Sequence, residues 1–524
     1  MRWFLALSLA GAAHAFELSS LLPFLKPSSH PTPATAGPHT VAIIGAGAAG
    51  SSAAFWISKA KERYGLDIEV DVYDKESYIG GRSTVVYPYN DTSMNPIELG
   101  ASIFVKVNKN LWRASEEFNL ARKDFEDGDS EMGIWDGEKF LLTMGGNGFF
   151  SGWWSTVKVL WRYGYSSPTK TQTLVKQMID RFVELYTPES PRWSTISDLA
   201  DAFQWSDMVS QTTAEYLDSN GVSKRFSREL VEAATRVNYG QNLDEIHALE
   251  GFCSMAASGA SGIRDGNYLI FENFLNRSGA DVFLKTPVRS ISRDGDSWAV
   301  QIDKGTVTYD SVIIAAPFHS TGISFPPSLS SQVPKQPYVR LHVTLLATTA
   351  PHPNPALFSL PSHYRVPTTI LTSAEGIRNG GKAPEFNSLS YHGLVKDGVA
   401  PKEWVVKLFS EERLSDEWLN SLFDGQVGWV LRKEWDAYPK LPPTTTFPPV
   451  KLGNGMYYVN AFEPFISTME TETIAARNIV DLLLQEQLNS GICGPPRIES
   501  TEAGTQQPLK PATSGADFVL GFDC

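Results

Sequence analysis

The first hydrophobic pattern along the chain is a short apolar run followed by glycines. Thr40-Val41-Ala42-Ile43-Ile44 has the length and continuous apolar character of a strand buried on both faces. Gly45-Ala46-Gly47-Ala48-Ala49-Gly50 follows directly, and the alanine-rich stretch from Ser51 to Tyr64 predicts a helix. A second apolar strand, Ile68-Glu69-Val70-Asp71-Val72-Tyr73, ends at Asp74. This order of strand, glycine turn, helix, strand and acid predicts a dinucleotide-binding unit.

The glycines of this turn are expected to have separate tasks. Gly45 would make the tight turn, Gly47 would let the backbone approach a pyrophosphate, and Gly50 would let the helix pack close to the strand. The pyrophosphate is expected at the helix N-terminus beside Ala46, where free N–H groups and the helix dipole attract anions. Asp74 is expected to accept hydrogen bonds from the ribose hydroxyls.

A second glycine motif identifies the kind of dinucleotide. Ile79-Gly80-Gly81-Arg82-Ser83 resembles the second fingerprint of amine-oxidase-like FAD enzymes, and this resemblance implies FAD. Gly81 would let the backbone lie against the cofactor, and Arg82 would offer a fixed cation. Glu98-Leu99-Gly100-Ala101-Ser102 resembles the loop near the isoalloxazine ring in the same class, although an ordinary glycine turn would have the same sequence. The expected contacts in this loop are Gly100, Ala101 and Ser102.

Two distant segments extend the same resemblance. Asp281 to Ile291 resembles the strand whose backbone contacts adenine, here at Val288, and a hairpin is predicted over Trp298 to Asp303. Gly455 to Glu463 predicts a strand that ends in an acid. The resemblance makes Glu463 an expected cofactor contact.

A helix is predicted after this strand. Ser467-Thr468-Met469-Glu470 has the form of a capping box in which the Ser467 and Glu470 side chains satisfy free N–H groups. The N-terminus at Met469 would face the flavin pyrimidine edge and stabilise negative charge there. An ordinary packing helix would have the same sequence. Apolar residues at helical spacing predict that the helix packs on the core: Ile474, Ile479, Leu482 and Leu483.

The predicted fold class is α/β, with a Rossmann-type FAD-binding domain interleaved with an α+β substrate-binding domain. The FAD-binding domain is predicted from residues 39–105, 280–322 and 453–490. The substrate domain is predicted from residues 106–279 and 323–452, and residues 491–524 form a C-terminal tail.

Three other segments resemble the prenylcysteine oxidase family: Val159 to Gly164, Thr235 to Gln241 and Lys433 to Pro439. The resemblance implies an oxidase that cleaves the thioether of farnesyl- or geranylgeranylcysteine to a prenyl aldehyde, cysteine and hydrogen peroxide. The resemblance also implies a small prenylated thioether and oxygen as partners, and a biological role in the degradation of prenylated proteins. Flavin supplies the difficult chemical step in such a reaction, so the protein mainly positions the substrate. No catalytic side chain is assigned, and FAD is expected to bind noncovalently because no cysteine stands at an obvious attachment site.

Candidate substrate contacts are fewer. Polar candidates for the amino-acid head group are Arg236, Asn238, Tyr239 and Gln241. A buried hydrogen-bond cluster that joins two helices would have the same sequence. An aromatic concentration would suit a prenyl chain, the protein core or a peripheral membrane contact; its members are Phe149, Phe150, Trp153, Trp154 and Trp161.

Two alternative functions remain open at this stage. One is a flavin oxidase of another amine or a specialised metabolite, and the other is a lipid-binding homologue without turnover. Phe462 stands where many amine oxidases have glycine, which makes amine oxidation less favoured and is expected to alter the approach of backbone to the ribityl chain.

Charge and cysteine content narrow the classes further. With 45 Lys and Arg against 58 Asp and Glu, the net charge of −13 argues against a nucleic-acid binder. No His or Cys cluster has metal-ligand spacing, so no metal site is predicted. Cys493 and Cys524 are expected to pair and close the tail, with two unpaired thiols as the alternative. Cys253 is expected to be a small buried residue.

The start of the chain predicts export. Arg2, the apolar stretch from Trp3 to Ala13 and a small-residue cleavage site predict a signal peptide over residues 1–15. A Ser- and Pro-rich linker is expected over residues 16–38. Asn90 and Asn276 are glycosylation acceptors by sequence. The expected location is the secretory pathway, in a lysosome- or vacuole-like lumen or outside the cell.

Overall fold

Both strands and helices follow the glycine turn along the chain. The structure is a computed structural model, and it describes residues 37–125, 131–145, 158–257, 259–494 and 517–524. Residues from His39 to Cys524 form one compact unit. The expected signal peptide, nearly all of the linker and most of the tail lie outside the described residues, as do Phe149, Phe150, Trp153 and Trp154.

The secondary structure mixes short strands with helices of varied length. The strands are β1 His39–Ile44, β2 Ile68–Tyr73, β3 Val85–Val86, β4 Ile97–Glu98, β5 Arg122–Asp124, β6 Met132–Trp135, β7 Phe140–Met144, β8 Ser261–Ile263, β9 Asp281–Phe283, β10 Val288–Asp294, β11 Ser297–Ile302, β12 Gly305–Tyr309, β13 Ser311–Ile314, β14 Tyr338–Thr348, β15 Thr369–Thr372, β16 Ser388–Leu394, β17 Trp404–Ser410, β18 Val427–Pro439, β19 Lys451–Gly453 and β20 Met456–Tyr458. The α-helices are α1 Ala48–Tyr64, α2 Lys109–Glu117, α3 Ser166–Phe182, α4 Ile196–Ala202, α5 Ser206–Val209, α6 Thr213–Ser219, α7 Lys224–Phe226, α8 Glu232–Tyr239, α9 Ala248–Met255, α10 Tyr268–Ser278, α11 Pro327–Ser330, α12 Glu375–Arg378, α13 Asp416–Leu422 and α14 Met469–Leu488.

The first sheet has the order β19-β20-β13-β1-β2-β9, and only the β19–β20 pairing is antiparallel among these strands. The central strand β1 pairs through Val41 with Val70 on one side and Ser311 on the other. Its residues 41–44 are buried, as expected for an apolar strand inside a parallel sheet. The predicted α/β class and the Rossmann-type order of β1, α1 and β2 are therefore confirmed.

Helix α1 packs against α10 and α14. The Phe55 ring lies 4.7 Å from the Phe274 ring, and the Trp56 indole N–H donates to the carbonyl oxygen of Thr473 at 3.1 Å. The helix begins at Ala48, three residues earlier than Ser51, because the glycine turn itself enters the helix.

The predicted strand over residues 281–291 is wrong, because the structure contains two strands there. Strand β9 pairs with β2 in the first sheet, whereas β10 belongs to a separate antiparallel sheet with the order β10-β11-β12. Lys285 has a φ of 53°, and Pro287 lacks an N–H group, so neither continues a regular strand. The chain therefore changes sheets at this point.

The second large sheet has the order β18-β14-β17-β16-β15-β6-β7, and β15 pairs with β6 in parallel while the other pairings are antiparallel. Residues of β14 alternate between its two faces. Leu341 and Val343 share a buried cluster with Leu99, which precedes Gly100, whereas Leu346 packs in a cluster on the other face. One face of this sheet is thus turned toward the loop over residues 98–102.

Helix α14 differs from its prediction at the N-terminus. Thr468 is the N-cap, its side chain accepts from Thr471 N–H, and the Thr471 side chain accepts from Thr468 N–H. The predicted pairing of Ser467 with Glu470 is wrong because Glu470 is turned inward, where it accepts from Asn110 N–H. The preceding strand β20 ends at Tyr458, before Glu463, since residues 459–462 form a 3-10 turn.

Candidate active site

A cavity of about 480 Å³ lies beyond the carboxyl ends of β1, β2 and β13, where open parallel sheets bind ligands. Ten of the predicted cofactor contacts line it: Gly45, Gly47, Asp74, Gly81, Arg82, Gly100, Ala101, Val288, Glu463 and Met469. Ala46, Gly50 and Ser102 do not line it. The structure therefore brings segments from 45 to 469 together around one space.

The glycine turn forms one end of this cavity. Gly50 has no room for a side chain, because a Cβ there would lie 1.8 Å from the carbonyl oxygen of Gly45. At Gly47 the nearest atom to an added Cβ would be the Gly81 Cα at 3.8 Å. The space beside Gly47 is thus bounded loosely by protein and opens into the cavity.

Asp74 fixes the shape of this turn. Its carboxylate accepts from Ala46 N–H at 2.7 Å and from Glu76 N–H at 2.8 Å. Burial raises the pKa of Asp74, and these two backbone donors oppose that shift. Each carboxylate oxygen has a second lone pair, so these contacts leave the predicted ribose contact chemically open.

Arg82 lies at the centre of a charged cluster. Its guanidinium forms an ion pair with Glu463 and donates to the carbonyl oxygen of Ala437 at 3.1 Å. The Tyr338 hydroxyl donates to the other oxygen of Glu463. Burial and the Glu463 charge raise the pKa of Tyr338, so this phenol remains a hydrogen-bond donor. Sequence patterns gave no signal for Tyr338.

Two buried polar side chains next to this cluster keep unused hydrogen-bonding atoms. Asn460 and Glu472 both line the cavity, and the Asn460 amide donates to Glu472 at 3.3 Å. Oδ1 of Asn460 and Oε1 of Glu472 have no partner among the described residues. Burial and the charge of Glu463 raise the pKa of Glu472. Buried polar atoms are rarely left unpaired, so this part of the cavity is built for a polar ligand.

The opposite wall of the cavity is apolar and comes from the second sheet. Its side chains are Leu341, Val343, Phe409 and Trp435. A Cβ at Gly100 would lie 2.8 Å from the Trp435 ring, so the glycine allows this ring to pack on the loop over residues 98–102. The segment that contains Trp435 resembles the prenylcysteine oxidase family in sequence, but the sequence does not predict that this ring lines the cavity.

Behind this loop lies a buried lysine. Lys407 Nζ donates to the carbonyl oxygen of Glu98 at 2.9 Å and to Ser102 Oγ at 3.1 Å. The Glu98 carboxylate accepts from Asn267 N–H at 2.5 Å. Burial raises the pKa of Glu98 and lowers that of Lys407, while their mutual attraction opposes both shifts. Ser102 therefore supports the loop from behind.

The predicted head-group residues lie elsewhere. Arg236, Asn238, Tyr239 and Gln241 are absent from the cavity lining. Arg236 donates to Thr372, Asn242 and Asn387, and Asn238 donates to the carbonyl oxygens of Ala234 and Ser254. Gln241 donates to the carbonyl oxygen of Pro439 and accepts from Leu441 N–H. The Tyr239 ring packs on Tyr438. These contacts are those of the structural alternative, a buried hydrogen-bond cluster.

Neither Phe462 nor Trp161 lines this cavity. Phe462 is fully buried and packs on Trp193 and Phe465, so its side chain does not meet a ligand in the cavity. Trp161 is 88% exposed and does not line this cavity. Within the described residues, no group of His, Cys, Asp and Glu is arranged to hold a metal ion.

The chain matches two family models and is similar to curated proteins over most of its length. A family model described as prenylcysteine lyase matches residues 150–491, and another described as an NAD(P)-binding Rossmann-like domain matches residues 43–118. The chain is 28% identical to a farnesylcysteine lyase from Arabidopsis thaliana over 465 residues, which cover 85% of this chain and 88% of the relative. It is 28% identical to prenylcysteine oxidase 1 from Homo sapiens over 473 residues, which cover 84% and 88%.

Solved structures show the same fold at low identity. A double mutant of putrescine oxidase has a TM-score of 0.57 and 15% identity, with 85% of this chain and 99% of that chain covered. Cyclohexylamine oxidase from Brevibacterium oxydans has a TM-score of 0.53 and 16% identity, with coverages of 86% and 99%. These likenesses describe the fold.

Proposed function

The chain belongs to the prenylcysteine lyase family, and on this basis we propose that it is an FAD-dependent oxidase that cleaves the thioether of an S-prenylcysteine. Oxygen and water are consumed, and a prenyl aldehyde, cysteine and hydrogen peroxide are formed. The observation that carries the proposal is one cavity with a dinucleotide-binding side and an apolar side.

The residues present suit FAD. The open space beside Gly47 suits a pyrophosphate next to the N-terminus of α1, and Asp74 lies at the ribose position of the motif. The unpaired oxygens of Asn460 and Glu472 suit hydroxyl donors of the ribityl chain. The N-terminal residues of α14 line the cavity, where the helix dipole favours negative charge. Noncovalent binding is proposed, since Cys253 does not line the cavity and Cys493 and Cys524 form a disulfide.

When bound, flavin supplies the two-electron oxidation of the carbon attached to sulfur and the later transfer of electrons to oxygen. Water then adds to that carbon, the carbon–sulfur bond breaks, and a proton passes to the cysteine sulfur. The oxygen atom of the water remains in the aldehyde.

The chain's own residues contribute mainly position and environment. The apolar wall of Leu341, Val343, Phe409 and Trp435 would bind the prenyl chain and keep bulk water from it. Gly100 and Trp435 touch, so the loop over residues 98–102 and this wall meet where the reacting carbon is expected. Orientation of this kind is a major source of rate enhancement when a cofactor performs the chemistry.

Location and surface contacts are further parts of the proposal. We place the protein in the secretory pathway, in a lysosome- or vacuole-like lumen or outside the cell, because disulfides persist in oxidising compartments. The acceptors Asn90 and Asn276 are both exposed, which glycosylation requires. Trp161 and Tyr165 are exposed aromatics that suit a peripheral contact with a membrane. Within the described residues, no helix combines the length and apolarity needed to cross a bilayer.

Anaerobic mixing of the purified protein with farnesylcysteine tests the proposal. We expect the visible absorbance of oxidised flavin to bleach, and the aldehyde and peroxide to appear when oxygen is admitted. Amines of similar size serve as controls. Bleaching by an amine but not by farnesylcysteine would show that the substrate is an amine and contradict the proposal. Bound flavin that neither a prenyl thioether nor an amine bleaches would favour a lipid-binding protein without turnover.

A further inference from the structure

We propose that Lys433 binds the α-carboxylate of the substrate and so determines specificity for S-prenylated amino acids with a free carboxylate. This inference rests on the proposed function. It assigns the head group to a different place from the cluster around Arg236, which does not reach the cavity.

Lys433 lies on the apolar wall of the cavity. In the pairing of β14 with β18, Lys433 is opposite Val343 and Trp435 is opposite Leu341, and all four line the cavity. Residues two apart on a strand share a face and lie about 7 Å apart. Lys433 Nζ is 5.8 Å from the centre of the Trp435 ring. The cation is therefore one step along the wall from the ring that touches Gly100.

The charge of Lys433 is available to a ligand. Glu434 and Asp436 are its neighbours in sequence, but both pair with Arg340, and Lys433 makes no ion pair within the described part of the chain. Its side chain is exposed, so a ligand can reach it.

The other cations near the cavity are less suitable for a substrate head group. Arg82 is paired with Glu463, and Lys407 is buried against backbone carbonyls and Ser102. Lys75 lines the cavity beside Asp74, at the end where the ribose is expected. Lys433 is the cation that borders the apolar wall.

This arrangement matches the chemistry of an S-prenylcysteine. The prenyl chain is apolar, and the carboxylate is separated from the sulfur only by the β- and α-carbons of cysteine. With the reacting carbon beside Gly100 and Trp435, a carboxylate at this short separation falls within the range of Lys433. An esterified carboxyl group has no charge to pair with the ammonium.

The test compares farnesylcysteine with its carboxyl methyl ester on wild type and on Lys433→Met, which keeps the apolar stem but removes the charge. We expect KM for the acid to rise about tenfold, a change of about 1.4 kcal/mol, with kcat retained. KM for the ester should not change, and Lys433→Arg should restore much of the preference for the acid. Lys335→Met, an exposed lysine outside the cavity lining, is the matched control.

Binding of the acid and the ester is also measured by anaerobic calorimetry on enzyme whose flavin has been chemically reduced, so that neither ligand can be oxidised. The role of Lys433 would be overturned if the ratio of KM or Kd for the acid to that for the ester were the same in wild type and in Lys433→Met. If wild type binds the acid more tightly than Lys433→Met does but turns over neither compound, the proposed reaction fails while the carboxylate site stands.

Discussion

Gly47 and Gly50 belong to one motif, but their surroundings predict different effects of substitution. An added Cβ at Gly47 meets no protein atom closer than 3.8 Å, and its φ of −81° suits any residue. We expect Gly47→Val to fold and to lose bound flavin, because the side chain would occupy the pyrophosphate space. Gly50→Val should fail to fold, since its Cβ would lie 1.8 Å from a backbone oxygen.

Flavin content after gel filtration, together with a circular dichroism melt of the apoprotein, separates these outcomes. A folded Gly47→Val variant that remains yellow would contradict the assignment of the phosphate loop. A Gly50→Val variant with a wild-type melting curve would contradict the packing of α1 on β1.

Lys407 is expected to hold the loop over residues 98–102 through its contacts with Glu98 and Ser102. In Lys407→Met the buried Glu98 carboxylate loses one of its two neighbouring cations, while Lys123 remains, and the Glu98 carbonyl oxygen loses its donor. The free energy of unfolding at neutral pH should therefore fall by about 3 kcal/mol. Burial raises the pKa of folded Glu98, so the folded state binds more protons than the unfolded state between the two pKa values. Stability of the variant should therefore fall as pH rises, with a larger loss at about pH 8 than at about pH 5.

Urea denaturation at both pH values measures this effect. The double variant Lys407→Met/Glu98→Gln lacks the titrating carboxyl, and its excess loss at high pH should disappear. Wild-type stability of Lys407→Met at both pH values would show that the lysine does not support the loop.

At the scale of elements, the local motifs were predictable and the contacts between distant strands were not. The strand, turn and helix over residues 40–64 depend on neighbouring residues, so their bounds were predictable to within three residues. Trp435 and Tyr338 reach the cavity only because β18 pairs with β14 in one register. Their strands read as ordinary strands, and no local signal shows which face meets the flavin-binding side.

The same limit applies to two sets of polar residues that the sequence makes conspicuous. The residues Arg236 to Gln241 were distinctive in sequence, but their polarity serves a buried hydrogen-bond cluster, which sequence could not distinguish from a substrate site. Glu470 fitted a capping box by spacing, yet its helix is buried and the acid joins two elements.

Glu470 and Glu472 are two residues apart on α14 and are expected to act differently. The Glu470 carboxylate accepts from Asn110 N–H at 2.8 Å, Leu111 N–H at 3.0 Å and the Tyr186 hydroxyl at 2.6 Å. Glu470→Ala would leave these buried donors unpaired and should lower the free energy of unfolding by about 3 kcal/mol. Glu472→Gln should retain stability but change the flavin spectrum or affinity, because Glu472 faces the cavity.

Urea denaturation and flavin titration of both variants check this division of roles, with Glu470→Gln as the conservative control that keeps one acceptor oxygen. Equal losses of stability in Glu470→Ala and Glu472→Gln would mean that both acids serve packing.

At the scale of the whole molecule, the last residues of the chain hold the dinucleotide-binding core together. The Phe522 ring lies 5.1 Å from the Trp56 ring of α1, and Arg63 of α1 donates to the carbonyl oxygens of Gly521 and Phe522 at 2.8 and 2.9 Å. Arg477 of α14 donates to the carbonyl oxygen of Leu520 at 3.1 Å. These contacts, with the Cys493–Cys524 disulfide, place the C-terminal residues across the two helices whose N-termini line the cavity.

Loss of this disulfide should therefore affect both stability and cofactor retention. The bond spans 31 residues, and for a loop of this size the chain-entropy model predicts a loss of about 3–4 kcal/mol in Cys524→Ser. Because residues 517–524 pack on α1 and α14, flavin should also leave the variant at a lower temperature than it leaves wild type. Thermal release of flavin fluorescence and urea denaturation measure the two effects, with Cys253→Ser as a control that breaks no disulfide. If unfolding is unchanged but flavin leaves early, the C-terminal contacts with α1 and α14 serve cofactor retention and contribute little to overall stability. If neither property changes, the C-terminal residues do not support cofactor binding.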